Sequence, residues 1–199
     1  MKIGVIGAGL IGQAFAKHAS NAGYEVIISN SRGAETLAEA VKILGCNAKA
    51  GSVQEAADSD VIFLAVPWKH LQEAVSAVPS WKDMIVIDPS NPIIMPGFQT
   101  AELDGKLSSE VVAAMIPGAR IVKAFNTLPA AVLASDPRHA GGRRVIFFSG
   151  NDMKAKEIVA EIIDHMGFAG IDLGEISSGG RLQHYPNGTL TSLNLVKYE

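Results

Sequence analysis

The spacing of three glycines near the amino terminus constrains this chain more than any other feature. Ile3, Val5 and Ile6 are β-branched and make a short strand, and Gly7, Gly9 and Gly12 follow it as G-x-G-x-x-G. Leu10, Ile11, Ala14, Phe15 and His18 then recur at helical spacing, so a helix opens inside the glycine run. A strand, a glycine turn and a helix in that order form a dinucleotide-binding fingerprint, because free N–H groups and the positive end of the helix dipole face the phosphates. Gly7 permits the tight turn, Gly9 lets the backbone approach a pyrophosphate, and Gly12 lets the helix pack close to the strand. A secretory signal peptide is the competing reading of Lys2 and the apolar run to Ala16. The glycines interrupt that run, however, and Glu25 to Ile28 continues as a second strand, not as a cleavage region.

Strand and helix patterns alternate along the rest of the chain. Strands are expected at Glu25–Ser29, Ala48–Ala50, Asp60–Val66, Met84–Asp88, Arg120–Phe125, Arg144–Ser149 and Ala169–Leu173. Helices are expected at 34–44, 53–57, 68–78, 108–115 (with Ser108 as N-cap) and 129–134, with another from Asp152 to Gly167. The strands are near-continuous apolar runs, which predicts a parallel, doubly wound, Rossmann-like α/β sheet. With 199 residues, one domain over 1–199 is expected, residues 175–199 being a tail that completes the pocket or a dimer. Residues 91–106 read as an irregular loop and 136–144 as a solvated one.

A net charge of −3 makes no electrostatic case for nucleic acid or an anionic membrane, and apolar runs such as Val61 to Pro67 are too short to span a bilayer. Cys46 is the single cysteine, so no intrachain disulfide is possible. That suits a reducing cytoplasm, and Cys46 is expected to pack as a small apolar residue at a helix end.

The end of the second strand discriminates between dinucleotides. An Asp or Glu there would hold both ribose hydroxyls of NAD, but this chain reads Ser29-Asn30-Ser31-Arg32-Gly33, with no carboxylate before Glu35. Ser31 can donate to a 2′-phosphate, and Arg32 can pair with it while stacking on adenine, so NADP(H) is the expected cofactor. Three further strand ends share that edge: Val66-Pro67, Ser90-Asn91 and Ala124-Phe125-Asn126, where Asn126 could bind the carboxamide or a ribose hydroxyl. Lys69, His70, Lys123 and His184 are the residues able to do acid–base work, each with a structural reading beside it. Lys69 and His70 read as solvated, Lys123 as packing its alkyl stem, and His184 as part of a tail covering the sheet. No Ser/His/Asp set, metal cluster or Tyr-x-x-x-Lys arrangement is evident. Hydride transfer between conjugated rings needs alignment and dryness more than an acid or base.

Taken together, M-K-I-G-V-I-G-A-G-L-I-G, S-N-S-R-G, L-A-V-P, D-P-S-N-P, V-K-A-F-N-T and the late G-F-x-x-I-D-L-G resemble the F-420-dependent NADP oxidoreductases (NADPH:deazaflavin reductases) over about residues 1–174. The resemblance implies NADP(H) held by Gly7, Gly9, Leu10, Ile11, Gly12, Asn30, Ser31 and Arg32, with Val66, Pro67, Asn91, Ala124 and Asn126 near the nicotinamide half. It implies a planar acceptor: coenzyme F-420, a flavin or a ferric chelate, the same fold serving as the cytosolic ferric-reductase part of some membrane proteins. A cytoplasmic homodimer is expected. The tail Ser178 to Leu190 departs from the archaeal members and looks more like bacterial relatives. Hydroxyacid dehydrogenases and pyrroline-carboxylate reductases with similar amino termini carry a further helical domain, whereas only a helix, a strand and a short tail follow Ser149 here. A non-catalytic NADP(H)-binding sensor and a small-carbonyl reductase remain as alternatives.

Overall fold

A computed structural model describes residues 1–198, so Glu199, the last residue of the expected domain and tail, lies outside the described residues. Strands β1 (Lys2–Ile6), β2 (Glu25–Ser29), β3 (Ala48–Ala50), β4 (Val61–Leu64) and β5 (Ile85–Asp88) alternate with helices α1 (Leu10–Asn21), α2 (Ala38–Leu44), α3 (Val53–Ala57) and α4 (Leu71–Ser76). There follow β6 (Ile93–Ile94), β7 (Gln99–Thr100), α5 (Ser108–Met115), β8 (Arg120–Ala124), α6 (Ala130–Leu133) and β9 (Arg138–His139). The chain continues through β10 (Gly142–Gly150), α7 (Met153–His165), β11 (Ala169–Asp172), α8 (Gly179–Gln183) and β12 (Val196–Tyr198).

The main sheet has the order β11-β10-β8-β5-β4-β1-β2-β3, with β9 and β12 added along β10. Every pairing from β3 to β8 is parallel. The order reverses direction at β1, which lies between β2 and β4, and a crevice opens at such a switch point. Strand residues alternate between two cores, as a period of two requires. Ile3, Val5, Val61, Phe63, Ile85 and Ile87 face one side, where α1 and α7 cover them with Phe15, Val159 and Ile162. Ile6, Ile62, Leu64 and Val86 face the other, under Ala56 of α3, Leu71 and Val75 of α4, and Val112 of α5. Within the first core Phe15 stacks on Phe63, with centroids 3.8 Å apart, and meets Phe125 edge-on at 5.2 Å.

The fold is the doubly wound α/β sheet the sequence predicts, with local corrections. It is mostly, not wholly, parallel: β10 runs antiparallel to β8 and parallel to β11. The β8–β10 connection carries only the short helix α6 and the β9–β10 hairpin, not a full crossover helix, so reversal is the available pairing. The expected solvated loop at 136–144 is therefore largely hairpin, in which Arg144 donates to the Asp136 carbonyl and to Asn194 Oδ1. The expected irregular stretch 91–106 contains a two-stranded hairpin, β6–β7. Residues 34–37 and 68–70 are 3₁₀ turns leading into shorter α-helices. Cys46 is exposed, because it follows Gly45 (φ 102°), where the chain has already turned out of α2. Ser108 does not cap α5. Leu107 N donates to Glu110 Oε2 at 2.8 Å, and the Ser108 hydroxyl faces Lys123 instead.

Helix α7 is capped by Asp152, which accepts from Ala155 N at 2.7 Å and from Arg120 Nη2 at 2.7 Å. The Arg120 hydrogen bond, then the backbone bond, depress its pKa to about 2. A carboxyl depressed on folding stabilises the fold above its unfolded value of 3.8 and loses that contribution as pH falls towards about 2. Asp152→Ala should therefore lower the melting temperature at pH 7, with the gap to the unchanged protein narrowing between about pH 4 and 2. A gap independent of pH over that window would show that the carboxylate's charge is not what caps the helix.

Candidate functional site

The glycine turn has a geometry that side chains would destroy. Gly7 sits at φ 108°, and a Cβ on it would overlap the Ala65 carbonyl at the end of β4. A Cβ on Gly12 would overlap the Gly7 carbonyl. Gly9, the N-cap of α1, differs: its backbone is extended (φ −74°, ψ −175°), and nothing lies within 4 Å of a Cβ built there. No side chain caps α1 and no acid lies in its first turn, so its amino-terminal N–H groups and dipole face an open space that suits an anion. This cradle fits a dinucleotide pyrophosphate.

That space is one end of a cleft of about 750 Å³ at the carboxyl ends of β1, β2 and β4. Gly7 and Gly9 form its floor, Asn30, Ser31 and Arg32 one wall, and Val66, Pro67 and His70 another. The second strand's end is shaped by an amide. Asn30 Oδ1 accepts from Arg32 N at 2.8 Å, and Asn30 Nδ2 donates to Thr36 Oγ1 at 2.9 Å, which holds Ser31 and Arg32 out at the exposed rim. Glu35 does not line the cleft. Glu73 does, with its carboxylate 3.7 Å from His70 Nδ1. Helix α3 contributes Gln54, and α4 and its C-cap contribute Ala74 and Ala77, which sequence patterns did not single out because a lone glutamine or alanine on a helix carries no chemical signature.

The other predicted residues lie elsewhere. Leu10 is exposed, Ile11 half-buried and Gly12 buried, all outside the cleft lining. Ala124 is wholly buried beneath the β8 end. Phe125 adopts φ 65°, a left-handed conformation costly for an aromatic residue, and turns the chain towards β5. Asn91 and Asn126 then meet: Asn91 Nδ2 donates to the Asn126 carbonyl at 2.9 Å, and Asn126 Nδ2 donates to Asn91 Oδ1 at 3.0 Å.

Beneath these ends lies a buried charge pair. Lys123 Nζ is 3.1 Å from Asp88 Oδ2, and the two side chains are 1% and 0% exposed. The ammonium also donates to the Ser90 carbonyl and to Ser108 Oγ, while Ser109 Oγ donates to Asp88 Oδ2. Lys123 therefore does more than pack its stem. Burial pulls its pKa below the usual 10.5, and Asp88 opposes that pull. Parallel register carries the signal for this pair, since Asp88 and Lys123 are directly opposed on neighbouring strands. His184 is half-buried, with Nδ1 enclosed and without a protein partner, and burial followed by the charge of Lys123 lowers its pKa below 6.5. Lys69 is exposed at the 3₁₀ turn. Among the described residues, no group of three or more His, Cys, Asp or Glu could hold a metal ion, and no helix is long and apolar enough to cross a membrane.

Comparison with known proteins places this architecture. The family described as "NADP oxidoreductase coenzyme F420-dependent" matches residues 2–92. A hypothetical protein, SMa0349, from Sinorhizobium meliloti is 44% identical, with a TM-score of 0.93 over 99% of this chain and 96% of that one. A protein from Arthrobacter sp. FB24, named as a candidate F420-dependent NADP reductase, is 27% identical, with a TM-score of 0.75 over 89% of this chain and 86% of that one. The metalloreductase STEAP3 of Rattus norvegicus is 29% identical over 96% of this chain and 37% of its own length. The chain thus spans little more than a third of that curated relative. The glycine cradle, the sheet order and these likenesses agree: residues 2–92 match the coenzyme F420-dependent NADP oxidoreductases, and the chain has the fold of a structure named as one of them.

Proposed function

We propose that this protein binds NADP(H) across the cleft and passes a hydride between NADPH and a planar two-electron acceptor, coenzyme F420 or a flavin. The observation that carries the reading is the end of β2: Ser31 and Arg32 line the cleft at the place where an NAD site would need an acid, a fixed distance from the open cradle at Gly9. The pyrophosphate would rest on the α1 amino terminus, the 2′-phosphate on Ser31 and Arg32, and the nicotinamide half beyond Val66 and Pro67 towards Asn91 and Asn126. NADPH supplies the hydride when bound; the chain's residues hold the cofactor and exclude water.

The acceptor follows from what the site lacks and from its relatives. Reduction of a carbonyl needs a proton donor at the reacting oxygen. Lys123 is enclosed with Asp88, His184 is pushed towards its neutral form, and His70, on the cleft wall, faces the Glu73 carboxylate 3.7 Å away. A ring that takes two electrons as hydride needs no such donor at the point of transfer. The likeness to metalloreductases adds a ferric chelate as a downstream acceptor. Ferric iron takes one electron, so two ions would be reduced per NADPH through a flavin that divides the pair.

Cofactor choice tests this reading. A charge-assisted hydrogen bond contributes about 1.5–3 kcal/mol, so Arg32→Ala should weaken NADPH roughly 10–150-fold while barely changing NADH. Equal affinity of the unchanged protein for NADPH and NADH in a fluorescence titration would refute the assignment. Oxidation of NADPH followed side by side with F420, FMN and ferric citrate identifies the acceptor, and binding without turnover of any would favour an NADP(H) sensor.

A further inference from the structure

At the end of the cleft lined by Ser31 and Arg32, one side chain has a fixed polarity. Here the lining also takes in Val53 and Gln54 of α3, Ala74 of α4 and Ala77 at its C-cap. Helix α3 starts at this edge because Gly51 N, just before it, donates to the Ile28 carbonyl of β2 at 3.0 Å. Val53, Ala74 and Ala77 are small and apolar, so the walls they make leave room for a flat ring.

Gln54 ties these walls together. Its Nε2 donates to the Ala77 carbonyl at 2.8 Å, from the first turn of α3 to the end of α4. A backbone carbonyl only accepts, so the amide has one sense: Nε2 faces Ala77, and Oε1 is the atom left over. Turning the amide over would break that bond and set Oε1 against the Ala77 carbonyl. No donor among the described residues reaches Oε1, and the side chain is exposed in the cleft. The slot therefore carries an oxygen that can only accept. The 6-amino group of adenine complements such an atom, whereas the 6-oxo group of hypoxanthine opposes it.

We infer that Gln54 is a specificity-determining residue for the base of the cofactor: its Oε1 accepts from the 6-amino group of adenine and disfavours a 6-oxo purine. The inference rests on the NADP(H) reading above, which puts the 2′-phosphate on Ser31 and Arg32 and so puts the base of the same nucleoside in the adjoining slot. Glu73 brings a second acceptor to the cleft lining, with its carboxylate 3.7 Å from His70 Nδ1. No backbone group holds that carboxylate, whereas Ala77 holds Gln54.

The test uses two cofactors that differ at this group alone: NADPH and its reduced hypoxanthine analogue, in which oxygen replaces the 6-amino group. Dissociation constants are read from nicotinamide fluorescence for the unchanged protein, Gln54→Met and Gln54→Ala. The unchanged protein should bind NADPH about 3–20-fold more tightly than the analogue, the effect of one hydrogen bond gained and one like pair opposed. In both variants the two constants should converge to within about twofold, chiefly through weaker NADPH. If the Gln54–Ala77 bond were merely structural, its loss would weaken both cofactors alike and leave their ratio in place. Equal affinity of the unchanged protein for the two cofactors overturns the inference. So does a preference that survives in the variants, which would pass the reading of the base to Glu73. Gln54 is exposed, and if one variant does not fold the other decides. Binding of neither cofactor by the unchanged protein would remove the NADP(H) reading and this inference with it, whereas NADPH bound without a preference for its base removes the inference alone.

Discussion

Gly9→Val should retain the native fold and lose dinucleotide binding. The backbone at Gly9 is extended and acceptable to a β-branched residue, and a Cβ there meets no protein atom within 4 Å. The branched side chain instead fills the space in which a pyrophosphate would touch the α1 amino terminus. Losing two charge-assisted hydrogen bonds, at about 1.5–3 kcal/mol each, weakens NADPH by roughly 10²–10⁴-fold. The matched control is Gly12→Val, whose Cβ overlaps the Gly7 carbonyl and which should damage the fold itself. Native circular dichroism together with unchanged NADPH affinity in Gly9→Val would mean that the phosphates bind elsewhere.

Lys123→Met should be the most destabilising single change at the strand ends. It leaves the Asp88 carboxyl buried with only the Ser109 hydroxyl and the Ser90 N–H for company. Breaking a buried pair from one side costs about 3–5 kcal/mol, a large share of a domain's total of about 5–15 kcal/mol. Removing both charges in Lys123→Met/Asp88→Asn should recover most of that loss, because no ion is then left without a partner. Urea denaturation of the two single variants and the double variant gives the coupling directly. A loss below about 1 kcal/mol in Lys123→Met would show that the pair is dispensable to the fold.

The amino-terminal half was legible because its signals are local. A β-branched run, three glycines at fixed spacing and an amphipathic helix each declare themselves within a few residues, and Ser31 with Arg32 follows at a set distance. What escaped was set by partners distant in the chain. Lys123 read as a strand residue packing its stem, since nothing beside it in sequence reveals Asp88 across the ladder. Gln183 lay in a tail with no hydrophobic period, yet its buried amide is held by carbonyls 36 and 60 residues away. The reversal at β10 likewise follows from a connection too short to carry a crossover helix, not from any property of the strand's own residues.

The ring cluster of Phe15, Phe63 and Phe125 has a mechanical meaning. Phe15 belongs to the helix that starts at the phosphate cradle, Phe63 to the central strand β4, and Phe125 to the turn that presents Asn126. Rings stacked 3.8 Å apart and wedged edge-on leave no slack between these three elements. The cradle and the β8 end therefore behave as two marks on one ruler, not as jaws on a hinge. On the proposed NADP(H) reading, a dinucleotide laid along that ruler would have its span dictated before it arrives, and little ordering would remain to be done when the acceptor docks.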